Sequence, residues 1–314
     1  MTKQVCVYSG EPLASYNFGP DHPFGPQRHD AFMHEFKRQG LDQLVCHYEP
    51  IMAGRAALET FHTETYINKV ITLSETGTGL LDQGDTPAFK GMYEASRYVT
   101  GSVLDGIDRI IQGQCSQVFV PIAGLHHAQR HSAAGFCVVN DCGIAIETLR
   151  RRHNLRKVAY IDIDAHHGDG VFYAFEDDPD LCFVDFHQDG RTLYPGTGGL
   201  GETGTGDAVG TKMNVPMPPG ANDELLMALW PSAEEFIEKA QPEFIILHAG
   251  ADSLKDDPIT QMQYSEAAHS YVTKRLKKLA NKICNGRLIA LGGGGYNLNN
   301  LAKAWTAVVA VLIS

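Results

Sequence analysis

The sequence predicts an α/β fold in which a mostly parallel sheet is doubly wound by helices on both faces. Two observations predict it. Short β-branched runs alternate with longer helical patterns, and several of those runs are almost wholly apolar, as strands covered on both faces must be. A third observation concerns position. Four of the runs end directly in loops rich in His, Asp, Gly or Tyr, and in such sheets ligands gather beyond the carboxyl ends of the strands.

Taken in order, the predicted strands are QVCVY near the amino terminus, QVFVP at 117–121, KVAYIDID at 157–164, LCFVDFH at 181–187, EFIILHAG at 243–250 and RLIALGG at 287–293. Helices are predicted over 92–113, 141–153, 222–240, 264–282 and 297–312. No internal repeat, low-complexity tract or linker-like shift in composition divides the 314 residues, so a single domain over 1–314 is expected.

Composition narrows the function. The chain is 43% hydrophobic and 20% charged, with a formal net charge of −11. An acidic surface disfavours a phosphate backbone and favours a cationic partner, so nucleic acid is not an expected ligand. The amino-terminal MTKQVCVYSGEPL does not read as a signal peptide, and the apolar AWTAVVAVLIS is too short to span a bilayer, so no membrane association is expected. The seven cysteines are scattered, odd in number and without a CxxC. That pattern fits free thiols in a reducing cytoplasm better than a disulfide framework.

The segment Asp162-Ile-Asp164-Ala-His166-His167-Gly-Asp169 carries three carboxylates and two imidazoles directly after an apolar strand. Strand alternation places Asp162 and Asp164 on one side. Without a cation such groups would repel and desolvate one another, and a bound metal resolves this. Asp252, at the end of another apolar strand, is a helix cap when read alone and a third ligand when read beside the first segment. Asp164, His166 and Asp252 would then form a site with one imidazole, two carboxylates and open positions for water and substrate. Two aspartates cancel the charge of Zn²⁺, so a separate general base is needed, and the tandem His126-His127 is the candidate. Asp162 and Asp169 remain to orient the two imidazoles.

Gly292–Gly295 precede Tyr296, and no Lys-Ser/Thr follows as in a phosphate-binding loop. Tyr296 either packs or offers a phenolic donor to an oxyanion. Gly196-Thr-Gly198-Gly-Leu-Gly201 fits G-x-G-x-x-G but follows a Pro-containing loop rather than a strand, so no dinucleotide is expected there.

YNFGPDHPFGPQR, GDTPAFKGMYEAS, GLHHA, GFCVVND, YIDIDAHHGDG, FHQDG…YPGTG, HAGADSL and GGGGYN follow one another over nearly the whole chain. In this set and order the chain resembles the histone deacetylase superfamily, near its class I and bacterial acetoin-utilisation branch. The resemblance implies an arginase/deacetylase-like fold and a single Zn²⁺ (or Fe²⁺) held by Asp164, His166 and Asp252. It implies His127 as general base and later acid, with His126 as its electrostatic companion. Asp162 and Asp169 become their respective partners, and Tyr296 polarises the acetyl carbonyl. Gly135, Phe136 and Tyr194 match the walls of the acyl-lysine tunnel, and Arg28 matches the arginine of an acetate-release channel. A structural K⁺ is implied at Asp162, Asp164, His166 and Phe186, with Asp185 where Ser is usual. Lys90 falls where many class I members have an aspartate at the tunnel rim. Ile259 stands at a gate where polyamine deacetylases carry Glu.

The implied activity is hydrolytic removal of acetyl groups from acetylated lysine in proteins or peptides, or from a small acetylated amine. Two rivals make other demands. A two-Mn²⁺ ureohydrolase needs further Asp/His ligands and has no use for the tandem His and Tyr296. A silent acyl-lysine binding module would be expected to lack a ligand or the Tyr.

Overall fold

The computed structural model describes residues 4–82 and 84–314. The chain runs β1 (Gln4–Tyr8), α1 (Glu11–Ala14), α2 (Gln27–Arg38), β2 (Cys46–Tyr48), α3 (Arg55–Leu58), α4 (Glu64–Thr76), α5 (Met92–Ile111), β3 (Cys115–Val120) and α6 (Asp141–His153). It continues β4 (Val158–Asp162), α7 (Asp169–Ala174), β5 (Leu181–Gln188), β6 (Lys212–Met217), α8 (Asp223–Ala240), β7 (Phe244–His248), α9 (Glu266–Ile283), β8 (Leu288–Leu291) and α10 (Leu298–Ile313).

The strands form one sheet in the order β2-β1-β3-β8-β7-β4-β5-β6. Every pairing between these strands is parallel. Strands β4, β5, β7 and β8 are buried along their whole length, because helices cover both faces. On one face α10 packs beside α2 and α9, and α9 beside α8. There Trp305 of α10 lies edge-on to both Phe32 of α2 and Phe119 of β3, with ring centroids 5.9 and 6.1 Å apart. On the other face α5 packs on β3 and beside α6. Gly106 lets α5 approach the Val118 and Ile289 side chains closely. Fully burying a large apolar side chain of this kind stabilises by roughly 1.5–3 kcal/mol.

Helix starts are fixed by side-chain caps. Thr63, Asn140, Asn222, Ser265 and Asn297 accept from backbone N–H groups at the starts of α4, α6, α8, α9 and α10. Among the described residues no helix is long and apolar enough to cross a membrane.

The expected strands and helices are present, with strand ends trimmed where the chain turns toward the polar loops. Strand β2 is too short to show a pattern, and β6 is an edge strand that accommodates Pro216. Helix α2 reads as polar and is held by Phe32 and Phe36, one turn apart and both buried. The cysteine expectation fails at one pair. Strands β1 and β3, distant in sequence, are neighbours in the sheet and join Cys6 to Cys115 in a disulfide.

The four strands that end in polar loops, β3, β8, β7 and β4, are consecutive in the sheet. Their carboxyl ends therefore deliver those loops to one place.

Candidate active site

The loop after β3 carries His126 and His127, and the start of α6 clamps it. Asp141 accepts from the backbone N–H groups of Gly124 (2.8 Å) and Leu125 (2.6 Å). Asn140 caps α6 with its oxygen and donates its amide N–H to the carbonyls of His126 (3.2 Å) and Ala128 (2.9 Å). The Asn-Asp pair that ends GFCVVND thus fixes the backbone of the histidine loop.

The loops after β4 and β7 bring Asp164, His166 and Asp252 together. Nδ1 of His166 lies 3.1 Å from Asp164 Oδ1 and 3.0 Å from Asp252 Oδ2. One ligand atom from each residue falls within 4.8 Å of the others, and all three residues are buried. The remaining oxygens are held by backbone N–H groups: Asp252 Oδ1 by Ala165 (2.8 Å) and Asp164 Oδ2 by Gly294 (2.9 Å). A Cβ on Gly294 would collide with both carboxylates, which explains why glycine stands there.

This donor set fits a divalent cation. As protein groups alone the three are poorly compensated. Burial, and then the Asp164 charge, push the Asp252 carboxyl up. Burial pushes the His166 imidazole down, yet Asp252 and Asp164 override it and raise it to about 10. The cluster calls for positive charge, and a metal ion supplies it with the ligand types that Zn²⁺ or Fe²⁺ accepts. A second grouping, His126, Asp164 and His248, also lies within 4.8 Å, but its His126 Nε2 already faces His127 Nε2 at 3.0 Å.

The two tandem imidazoles each turn Nδ1 toward a carboxylate. His126 Nδ1 lies 2.8 Å from Asp162 Oδ2, and His127 Nδ1 lies 2.6 Å from Asp169 Oδ1. Burial, then the neighbouring His127, lower the His126 imidazole to about 4. Asp162 also accepts from Tyr160 Oη (2.6 Å), His248 Nδ1 (2.7 Å) and the Asp164 N–H (3.0 Å).

Tyr296 follows the four glycines after β8 and immediately precedes the Asn297 cap of α10. Asp257 accepts from its backbone N–H at 2.8 Å. Its ring lines a small cavity shared with His126, His127, Asp164, His166 and Asp252. Burial, then Asp252, hold its phenol well above its ordinary value, so it stays a proton donor.

Of the expected tunnel residues, Gly135 lines this cavity. Phe136 stands edge-on to Tyr296 at 5.8 Å, and Tyr194 edge-on to His127 at 5.1 Å. Phe136 has φ 66° and is pinned by Tyr16 Oη donating to its carbonyl (2.8 Å) and by its own N–H donating to Thr86 Oγ1 (3.1 Å). Ile259 is half-buried on the Asp257 turn and does not line the inner cavity. Arg28 is fully buried and donates to the carbonyls of Gly295 (2.9 Å) and Gly293 (2.6 Å), with its guanidinium 3.9 Å over the Phe24 ring. Asp185 pairs in register with Asp162, and its oxygens accept from His187 Nδ1 and the Gly168 N–H, both at 2.8 Å. The next residue, Phe186, stacks on Trp230.

Lys90 is exposed beside Gly77, just before α5. The backbone carbonyl of Asp85 lies 3.4 Å from His22 Nε2, and the His22 ring stands 4.6 Å from Phe136. Sequence reading also missed His248, Asn140 and Asp141. The HAGADSL, GFCVVND and GDTPAF motifs contain them and Asp85, without roles assigned to them.

The signature of the histone deacetylase domain matches residues 22–312. The chain is 34% identical to acetoin utilization protein AcuC of Bacillus subtilis (strain 168), over 98% of this chain and 81% of that protein. It is 32% identical to putative histone deacetylase 2 of Caenorhabditis elegans, over 99% of this chain and 62% of that protein. It is likewise 32% identical to histone deacetylase 9 of Arabidopsis thaliana, over 98% of this chain and 72% of that protein. The crystal structure of the HDA15 HD domain superposes with a TM-score of 0.90 at 26% identity, covering 99% of this chain and 90% of that one. The buried donor cluster, the facing histidines and these similarities converge on one conclusion: the chain belongs to the histone deacetylase family.

Proposed function

We propose that the protein is a zinc-dependent amidohydrolase, with iron as the alternative metal, that removes acetyl groups from acetylated lysine side chains or a related acetylated amine. One observation carries this reading. Asp164, His166 and Asp252 share a single small cavity with two carboxylate-backed imidazoles and a protonated phenol.

When bound by those three residues, the metal supplies Lewis acidity, which polarises the acetyl carbonyl and acidifies the attacking water. His127 takes the proton from that water, and the Asp169 carboxylate holds its Nδ1. His126, backed by Asp162, lies against His127 Nε2 and steadies the charge that arrives there. Tyr296 donates a hydrogen bond to the carbonyl oxygen as it becomes an oxyanion. His127 then passes its proton to the leaving amine, the C–N bond breaks, and acetate remains with the buried Arg28 nearby. Gly135, Phe136 and Tyr194 sheathe the acyl-lysine chain, and Ile259 stands at its outer gate.

A structural K⁺ finds two adjacent buried carboxylates, Asp162 and Asp185, whose charges it would offset. The exposed Asp85 at the mouth favours a cationic or peptide substrate. The whole chain, 1–314, acts as one catalytic domain, and a cytoplasmic location suits an intracellular acetyl-lysine substrate. Turnover of acetyl-lysine peptides beside acetylpolyamines, with and without a chelator, tests the assignment. Chelator-sensitive release of acetate supports it, and inactivity on every acetylated amine overturns it.

A further inference from the structure

His248 is fully buried at the end of β7 and has no part in the steps above. Its Nδ1 lies 2.7 Å from Asp162 Oδ1, and its ring centroid is 4.4 Å from that of His126. Its Nε2 has no hydrogen-bond partner. Two glycines from neighbouring strand ends, Gly124 and Gly293, form the slot for its ring, and a Cβ on either would run into the imidazole. A side chain that is buried, shaped for and half-satisfied is held for what its satisfied atom does.

That atom acts on Asp162. The carboxylate accepts from His248 and the Asp164 N–H on one oxygen, and from His126 and Tyr160 on the other. Four donors fix the plane of the carboxylate. They leave one oxygen directed at His126 Nδ1, which then carries the hydrogen and turns the lone pair of Nε2 toward His127. On the proposed function, and resting on it, we infer that His248 is a positioning residue: its Nδ1–H orients Asp162 and thereby sets the tautomer of His126. Groups that orient a site residue through a carboxylate typically change activity by about 10–100-fold.

His248→Leu removes the donor. His248→Asn restores an N–H at the position of Nδ1. The leucine variant is expected to lose about 10–100-fold in kcat, with KM within about twofold and metal content unchanged. The asparagine variant should regain most of that loss. In ¹⁵N spectra of the histidine side chains, wild type and His248→Asn should show His126 protonated on Nδ1, and His248→Leu a mixture of tautomers. Circular dichroism confirms that both variants fold. The inference fails if folded His248→Leu keeps wild-type kcat and the same His126 tautomer, or if His248→Asn is as impaired as His248→Leu. A wild-type protein inactive on acetylated amines would instead overturn the proposed function, while the tautomer comparison would still judge the positioning role.

Discussion

His126 and His127 meet through their Nε2 atoms at 3.0 Å, while each Nδ1 points at its own carboxylate. With both Nδ1 atoms donating, two bare lone pairs would face each other unless one proton sits between them. The geometry therefore makes a place for one proton at the inner face of the pair, the one that His127 takes from water in the proposed reaction. The two carboxylates behind it offset the positive charge. That is the proton an amide hydrolysis must move twice.

Removing His127 should therefore cost more than removing metal-independent contacts. His127→Ala is expected to lower kcat/KM about 10²–10⁴-fold, the usual worth of a positioned acid–base group. Metal content should stay at the wild-type level. Steady-state kinetics with elemental analysis on the same sample checks this, and a variant within fivefold of wild type contradicts the assignment.

Tyr296→Phe keeps the ring that packs against Phe136 and deletes only the hydroxyl. Loss of an oxyanion donor lowers kcat about 10²–10³-fold, with folding and metal content intact. Near-normal kcat would return Tyr296 to a packing role.

Gly294 stands against both ligand carboxylates. Gly294→Ala should displace Asp164 or Asp252 and weaken metal affinity by about 10–100-fold, as disturbed ligand support does elsewhere. Overpacking should also cost about 1–3 kcal/mol of stability. Competitive chelator titration measures the first effect and urea unfolding the second.

Acid sensitivity should have a contribution from His62, which accepts from the Asn140 N–H at 2.8 Å. Burial holds its imidazole down to about 3, against an ordinary 6.5. Between those values the unfolded chain binds the proton and the folded one does not. The stability His62 contributes is complete above pH 6.5 and is lost as pH falls toward 3. At pH 5 the loss is about 2 kcal/mol. His62→Gln keeps an acceptor that does not titrate, so it should lose about that much less stability than wild type between pH 7 and pH 5 in urea unfolding.

Much of the site was legible because strands predicted from apolar runs end in ligand-type residues, and a parallel sheet delivers strand ends to one rim. Asp164, His166, Asp252 and Tyr296 stood at such ends and meet in one cavity. What stayed hidden depends on pairing between distant segments. His248 reads as the last residue of an apolar strand, and only the β7–β4 register sets it against Asp162. Cys6 and Cys115 join because β1 and β3 are neighbours, which no local pattern announces. Lys90 drew notice from its position in a motif; it stands beside Gly77, while Asp85 of the same motif approaches His22 through its backbone carbonyl. The clamp by Asn140 and Asp141 looks in sequence like an ordinary helix start.

The central claim is that Asp164, His166 and Asp252 hold one catalytic metal. Metal content measured by mass spectrometry on the purified protein, alongside turnover of an acetyl-lysine peptide, tests it most directly. One equivalent of zinc or iron per chain is expected, with activity lost on chelation and regained on adding zinc, and little metal retained by the Asp164→Asn/Asp252→Asn double variant. A fully active preparation free of metal, or a double variant that keeps its full equivalent, would contradict the claim.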